Sequence, residues 1–198
     1  MTRRTNINNR LQKQLVIIGD GACGKTSLLI VYSREIFPEV HIPTVFETYV
    51  KEVEVDGKHI ELALWDTAGQ ETFDRLRTLA YPDSDVIVIA YSIGEPETLE
   101  NVVEKWVPEV AHHCPGLPYL LVGCKKDLRN DPATVEELRK SQLTPVSYGR
   151  GLSVAREISA LDYVECSAKL NENINEVFTA AIRATLVRRK RWPSCKLL

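Results

Sequence analysis

The stretch that most constrains the fold is Gly19 to Thr26, reading Gly-Asp-Gly-Ala-Cys-Gly-Lys-Thr. An apolar run, Gln14–Ile18, precedes it, and it opens a segment, Lys25–Ser33, in which Leu28, Leu29 and Tyr32 fall at helical spacing. A strand turning on glycines straight into a helix fits the G-x-x-x-x-G-K-[S/T] pattern in the context where that pattern has meaning. Glycine lets the backbone curl until the N–H groups of Gly21, Ala22, Cys23 and Gly24 point inward. The helix N-terminus, running on through Ser27, adds the positive end of its dipole. Such a concavity suits phosphate oxygens. Lys25 supplies a point charge for β- and γ-phosphates, and the Thr26 hydroxyl is a small hard ligand for Mg²⁺. The competing reading is a glycine-rich strand-to-helix turn with no ligand.

The rest of the chain alternates strand and helix. Thr48–Val55 and His59–Trp65 alternate apolar with polar residues around Asp56-Gly57, a tight-hairpin signal. Val86–Tyr91 and Tyr119–Gly123 are continuously apolar, as strands covered on both faces must be. Glu97–His112, Leu152–Ala160 and Ile174–Lys190 read as helices, with Tyr163–Glu165 a short strand between the last two. The pattern implies a doubly wound α/β fold with one antiparallel hairpin. Domain boundaries follow: a flexible arm over 1–13, one domain over 14–187 and a tail over 188–198. A net charge of −2 over 198 residues gives no reason to expect nucleic acid as a partner. The cysteines are odd in number, at five, and none are at metal-ligand spacing, so free thiols in a reducing compartment are expected. Neither a signal peptide nor a membrane-spanning apolar run is seen.

Three further segments carry chemistry. Leu-Trp-Asp-Thr-Ala-Gly-Gln-Glu puts Asp66 at a strand end, where an acid can hold Mg²⁺ through water opposite Thr26. Gly69 offers an N–H with no side chain in the way of a γ-phosphate, and Gln70 can orient an attacking water. Thr44 lies in an aperiodic loop after Pro43; its hydroxyl suits Mg²⁺, although composition alone favours a structural turn threonine. Cys-Lys-Lys-Asp, Cys124–Asp127, ends a buried strand. Asp127 can accept two N–H bonds from guanine, whereas adenine leaves the carboxylate unpaired, and unpaired buried groups discriminate strongly. The stem of Lys125 can lie along the base, and Phe37 either packs on the base or belongs to the core.

With these residues in view, the chain resembles the Rho family of Ras-superfamily GTPases. The motifs are GDGACGKT, PTVFETY, LWDTAGQE, KWVPEV, KKDLRND and ECSAK, spread over about Gln14 to Val187. The resemblance implies a P-loop NTPase fold: a mostly parallel sheet of six strands with one antiparallel hairpin strand and helices on both faces. It implies that Ser167, Ala168 and Lys169 help to hold the base, the Ala168 N–H meeting the guanine carbonyl. Thr44 then belongs to a first switch, and Asp66 to Gln70 open a second, both ordered by the γ-phosphate. Catalysis falls to Gln70, Lys25 and Gly69. Two positions depart from the family: Cys124 where Asn is usual, and His41 where Tyr is usual. The missing Asn ties base loop to phosphate loop in relatives, so faster nucleotide exchange is expected.

An extra helix within about 130–143, capped by Asn130 or Asp131 with Pro132 in its first turn, resembles the Rho insert. The C-terminal Cys-Lys-Leu-Leu fits geranylgeranylation of Cys195, next to the basic run Arg188–Arg191. The resemblance implies a monomer that cycles between the cytosol and the cytoplasmic face of the plasma membrane or another membrane. Its expected partners are exchange factors, GTPase-activating proteins that supply an arginine, a dissociation inhibitor, and effectors acting on actin. Two other functions compete: a permanently GTP-bound module, against which Gly21, Ala68 and Gln70 argue, and a P-loop ATPase or nucleotide kinase, against which Asp127 argues.

Overall fold

The computed structural model describes residues 10–39 and 44–186. Six strands form one sheet in the order β2-β3-β1-β4-β5-β6: β1 Leu11–Gly19, β2 Phe46–Val55, β3 Lys58–Thr67, β4 Val86–Ser92, β5 Tyr119–Cys124 and β6 Tyr163–Glu165. Among the strands of this sheet in the described residues, β2 pairs antiparallel with β3 and the other neighbours are parallel. This is the expected fold. Asp56 and Gly57 both take positive φ, 51° and 70°, as a two-residue primed hairpin turn demands.

Strand periodicity explains the continuous apolar runs. Leu15 and Ile17 face a core built with Leu28 and Leu29 of α1 (Lys25–Arg34) and Val177 and Phe178 of α7 (Ile174–Leu186). Val16 and Ile18 face the opposite core, with Leu99, Val102, Trp106 and Val110. Those four come from one helical stretch: α3 (Glu97–Asn101), a π-helical turn (Val102–Trp106) and α4 (Val107–His113). Central strands are thus apolar on both faces because helices cover both.

Several boundaries differ from the sequence expectation. β1 begins at Leu11, so 11–13, read as part of a flexible arm, pair with Ile60–Leu62. The expected single helix over 97–112 contains the π turn, in which the Val107 N–H bonds the Val102 carbonyl. The later helix, α6, is Tyr148–Glu157 rather than 152–160, starting where the Ser147 hydroxyl accepts from the Arg150 N–H. Short turns after Gln70 were not expected: 3₁₀ at Glu71–Phe73, α2 at Asp74–Arg77 and 3₁₀ at Thr78–Ala80. The extra helix is α5, Pro132–Lys140, with Asp131 as its cap, accepting from the Thr134 N–H at 2.8 Å. Among the described residues no helix is long and apolar enough to cross a membrane. The arm at 1–9, His41, the basic run and Cys195 lie outside the described residues.

Candidate functional site

The phosphate end is built where β1 stops. Gly19 has φ 140°, and a Cβ there would lie 2.1 Å from the Ala90 carbonyl oxygen of β4, so only glycine fits. Ala22 (φ 57°) and Gly24 (φ 108°) complete the curl and deliver the chain to α1. Lys25, 5% exposed, donates from Nζ to the carbonyls of Gly19 at 2.8 Å and Asp20 at 2.6 Å. These bonds hold the ammonium at the rim of the curl. Cys23 is buried beneath it, its thiol pushed up to about 11 by burial against the opposing pull of Lys25.

Asp66 arrives from β3, whose register sets it beside Ile17. Thr44, which composition favoured as a turn residue, places its hydroxyl 2.6 Å from that of Thr26 and 3.4 Å from Asp66 Oδ2. Burial is the main reason the Asp66 carboxyl is raised to about 6, with hydrogen bonds from Thr26 and Thr44 and the charge of Lys25 opposing. Asp66 Oδ1 is buried with no hydrogen-bond partner among the described residues. Two hydroxyls and a carboxylate with an orphaned oxygen fit a small hard cation whose other ligands are phosphate and water. Among the described residues no group of three or more His, Cys, Asp or Glu offers a rival metal site.

Gly69 lies on the phosphate curl. A Cβ on it would fall 2.3 Å from Gly19 O and 2.4 Å from Gly21 N. The Gln70 side chain is exposed at the same rim, its Cγ 3.8 Å from where a Gly21 side chain would begin. A network that sequence reading passed over anchors this segment. Arg77 is buried and donates to Ala68 O at 3.0 Å, Asp74 at 2.6 Å and both Glu109 oxygens at 2.8 Å. Its guanidinium lies 4.7 Å from the Trp106 ring centroid. Trp106 Nε1 in turn donates to Asp20 Oδ1 at 2.8 Å, and Asn101 to Asp20 Oδ2 at 2.7 Å. The phosphate curl and the segment carrying Gln70 are therefore braced by one π turn. The signal was present in KWVPEV, read only as a family signature.

The base end forms where β5 and β6 stop. A cavity of ≈ 190 Å³ is lined by Gly24, Ser27, Leu28, Phe37, Cys124, Lys125, Asp127, Leu128, Cys166, Ala168 and Lys169. Asp127 Oδ1 accepts from the Ser167 hydroxyl at 2.6 Å, which orients the carboxylate. Ser167 is itself fixed by backbone bonds exchanged with Glu172. Lys125 sits at φ 56° and its ammonium meets Glu95 at 2.9 Å, so its stem runs along the cavity wall. Cys124 packs on the phosphate curl: a Gly24 Cβ would lie 3.2 Å from its own. Phe37 is 40% exposed, at the mouth rather than in the core.

A second cavity, of ≈ 560 Å³, holds Gly21, Ala22, Lys25, Thr26, Thr44, Gly69 and Gln70. It shares Gly24, Ser27, Phe37 and Lys125 with the first, so the two are ends of one groove. Arg34 lines its outer part, held 5.4 Å from the Tyr49 ring centroid. Of the residues singled out from sequence, the described ones meet along this groove or directly beneath it.

Comparison with known proteins agrees. The profile described as "Ras family" matches residues 14–187. GTP-binding protein rho5 of Schizosaccharomyces pombe is 61% identical over 184 residues, spanning 93% of this chain and 92% of that protein. GTP-binding protein RHO1 of Candida albicans is 61% identical, covering 89% of each chain. GTP-binding protein RHO1 of Saccharomyces cerevisiae is 60% identical over 91% of this chain and 87% of that protein.

Proposed function

The chain belongs to the Ras family, on its Rho branch, and from that premise we propose how its residues run a switch between GTP-bound and GDP-bound states. One observation carries the reading: an oriented acid, Asp127, and a buried lysine, Lys25, stand at opposite ends of a groove whose two halves share four residues. A molecule with a guanine-like donor edge at one end and phosphates at the other fits it.

The family is one of GTP hydrolases, and the roles follow from placement. Asp127, oriented by Ser167, accepts the ring N–H and the exocyclic amine of guanine, while Ala168 N–H and the Lys125 stem frame the base. The N–H groups of residues 21–27 receive the phosphates, and Lys25 meets the β- and γ-oxygens. Thr26, Thr44 and Asp66 would hold Mg²⁺, which when bound supplies charge neutralisation at the phosphate oxygens. Gln70 orients a water in line with the γ-phosphorus. The new P–O bond forms as the bond to the β-phosphate oxygen breaks, giving GDP and phosphate. Gly69, pressed on the curl, gives its N–H to the γ-phosphate and so reports whether that group is present. The intrinsic rate should be on the order of 10⁻⁴ to 10⁻³ s⁻¹, and an arginine from a GTPase-activating protein should raise it by about 10³ to 10⁵.

Large apolar side chains stand exposed beside the two switch segments: Ile36 (67%), Val45 (49%), Leu76 (43%) and Leu79 (69%). They support the reading that exchange factors and effectors dock there, with actin organisation as the output. Anchoring would come from a prenyl group on Cys195 and from Arg188–Arg191, since one lipid alone binds a membrane reversibly. With that anchor the protein would work at the cytoplasmic face of a membrane and exchange with cytosol through a dissociation inhibitor. Single-turnover phosphate release with purified protein tests the mechanism. Gln70→Leu should abolish release while leaving GTP bound; release at the unmodified rate removes Gln70 from the role.

A further inference from the structure

The wall of the base cavity holds two thiols that the mechanism does not use. Cys124 ends β5, and Cys166 follows β6 by one residue. The strands are parallel neighbours, with Gly123 paired to Glu165, so Cys124 and Cys166 are the next pair in register. Two backbone bonds fix this: Cys166 N–H to Gly123 O at 2.8 Å and Lys126 N–H to Cys166 O at 3.0 Å. Both side chains belong to the core on the α1 and α7 face, are buried, and line the cavity. Neighbouring strands lie about 4.8 Å apart, within the roughly 4.4–6.8 Å that a disulfide spans between Cα atoms.

We propose that Cys124 and Cys166 form a dithiol–disulfide pair in the cavity wall, oxidised by a hydroperoxide when the cavity is open and shielded when a guanine fills it. The shielding rests on the guanine reading above; the bridge does not. In the first step one thiol sulfur attacks the peroxide. An S–O bond forms, the O–O bond breaks, and the departing alcohol or water takes the thiol proton. In the second step the other sulfur attacks the sulfenic sulfur, forming S–S, and the S–O bond breaks as water leaves with the second proton. Two electrons pass from sulfur to the peroxide, and nothing else is consumed.

The surroundings set the gate. The Cys166 thiol beside it, and then burial, push the Cys124 thiol well above its usual range, so Cys124 stays inert while covered. The cavity the two thiols line is their approach from solvent, and a base seated there closes it while water entering an open one lowers the burial penalty. Among the described residues Cys23 is a competing thiol on the same core, but its Sγ is directed to Ala90 O at 3.6 Å and lies 3.8 Å from Lys25 Nζ. Cys114, buried on the opposite core, serves as a control. The departure at Cys124 thereby gains a consequence beyond nucleotide exchange: it puts the second sulfur beside Cys166.

The test uses full-length protein in two forms, GDP·Mg²⁺-loaded and stripped with EDTA, with mant-GDP binding measured first to check the guanine reading separately. Each form is treated with hydrogen peroxide, and cross-linked peptides are mapped by mass spectrometry. A 124–166 bridge should appear in the stripped form, at least tenfold more slowly in the loaded form, and not in Cys124→Ser or Cys166→Ser. Cys114→Ser should bridge as the parent does. Dithiothreitol should restore mant-GDP binding, which separates bridging from unfolding. A stripped protein that gives no 124–166 bridge, that bridges equally fast when loaded, or that oxidises Cys114 at the same rate overturns the proposal.

Discussion

Removing the Arg77 side chain should unfold the region that positions Gln70. Its guanidinium is fully buried, with Glu109 only 14% exposed opposite it. Arg77→Ala leaves that carboxylate with Tyr81 as its remaining hydrogen-bond donor and removes one of the two cations that lie over the Trp106 ring, leaving Lys105. Breaking one side of a buried pair is worth about 3–5 kcal/mol. For a domain of this size each kcal/mol moves Tm by about 2–4 °C, so a fall of about 10 °C is expected. The pair also carries a pH signature. Burial acts to raise the Glu109 carboxyl, yet the bonds from Arg77 and Tyr81 outweigh it and hold the group below its ordinary 4.5. A depressed acid stabilises the fold above its unfolded value and ceases to do so as pH falls through its folded value. The Arg77–Glu109 contribution is thus full above about pH 4.5 and fades below it. The assay is urea unfolding at saturating GDP·Mg²⁺ across pH 3.5–7, on a cycle of Arg77→Met, Glu109→Leu and the double variant. A coupling energy of about 2 kcal/mol or more at pH 7, shrinking towards pH 4, is expected. A coupling below about 0.5 kcal/mol, or one flat with pH, refutes the reasoning.

Three other changes read different parts of the groove. Gly69→Ala forces a methyl to within 2.3 Å of the Gly19 carbonyl, so the second switch must lift off the curl; GTP hydrolysis should fall at least tenfold with GDP affinity little changed, by single-turnover assay and mant-GDP titration. Ser167→Ala removes the 2.6 Å donor that orients Asp127; loss of a hydrogen bond to a charged group, worth about 1.5–3 kcal/mol, should weaken mant-GDP binding roughly 10- to 100-fold. Cys124→Asn restores an amide that can tie the base loop to the phosphate curl at Gly24, so GDP release by stopped-flow fluorescence should slow; an unchanged or faster rate rejects that role.

What was legible in the sequence was local or periodic. Gly19 to Thr26 could be read because the curl is a backbone requirement met by residues within one turn, and β4 and β5 because two covered faces leave no polar positions. Asp56-Gly57 announced its turn by the positive φ both residues take. Readings failed where a distant partner decides. Leu11–Lys13 extend β1 only because β3 is long enough to pair with them. The first turn of α6 holds Gly149 and Gly151, poor helix residues; Gly151 is there because a Cβ would meet the Tyr163 hydroxyl at 1.9 Å. Thr44 carries no periodic signal; the family resemblance of PTVFETY singled it out where composition did not, and the fold brings it to Thr26 and Asp66. The Arg77–Trp106–Asp20 brace joins three segments far apart in sequence through a π turn that no local pattern announces.

Nucleotide competition tests the central claim most directly. Purified protein loaded with mant-GDP in Mg²⁺ is titrated with GTP and with ATP, beside the same titrations on Asp127→Asn. Because adenine leaves the Ser167-oriented carboxylate unpaired, GTP should displace the label at least 10⁴-fold more effectively than ATP, with that preference collapsing in the variant. Equal displacement by the two nucleotides, or a preference that survives Asp127→Asn, contradicts the account.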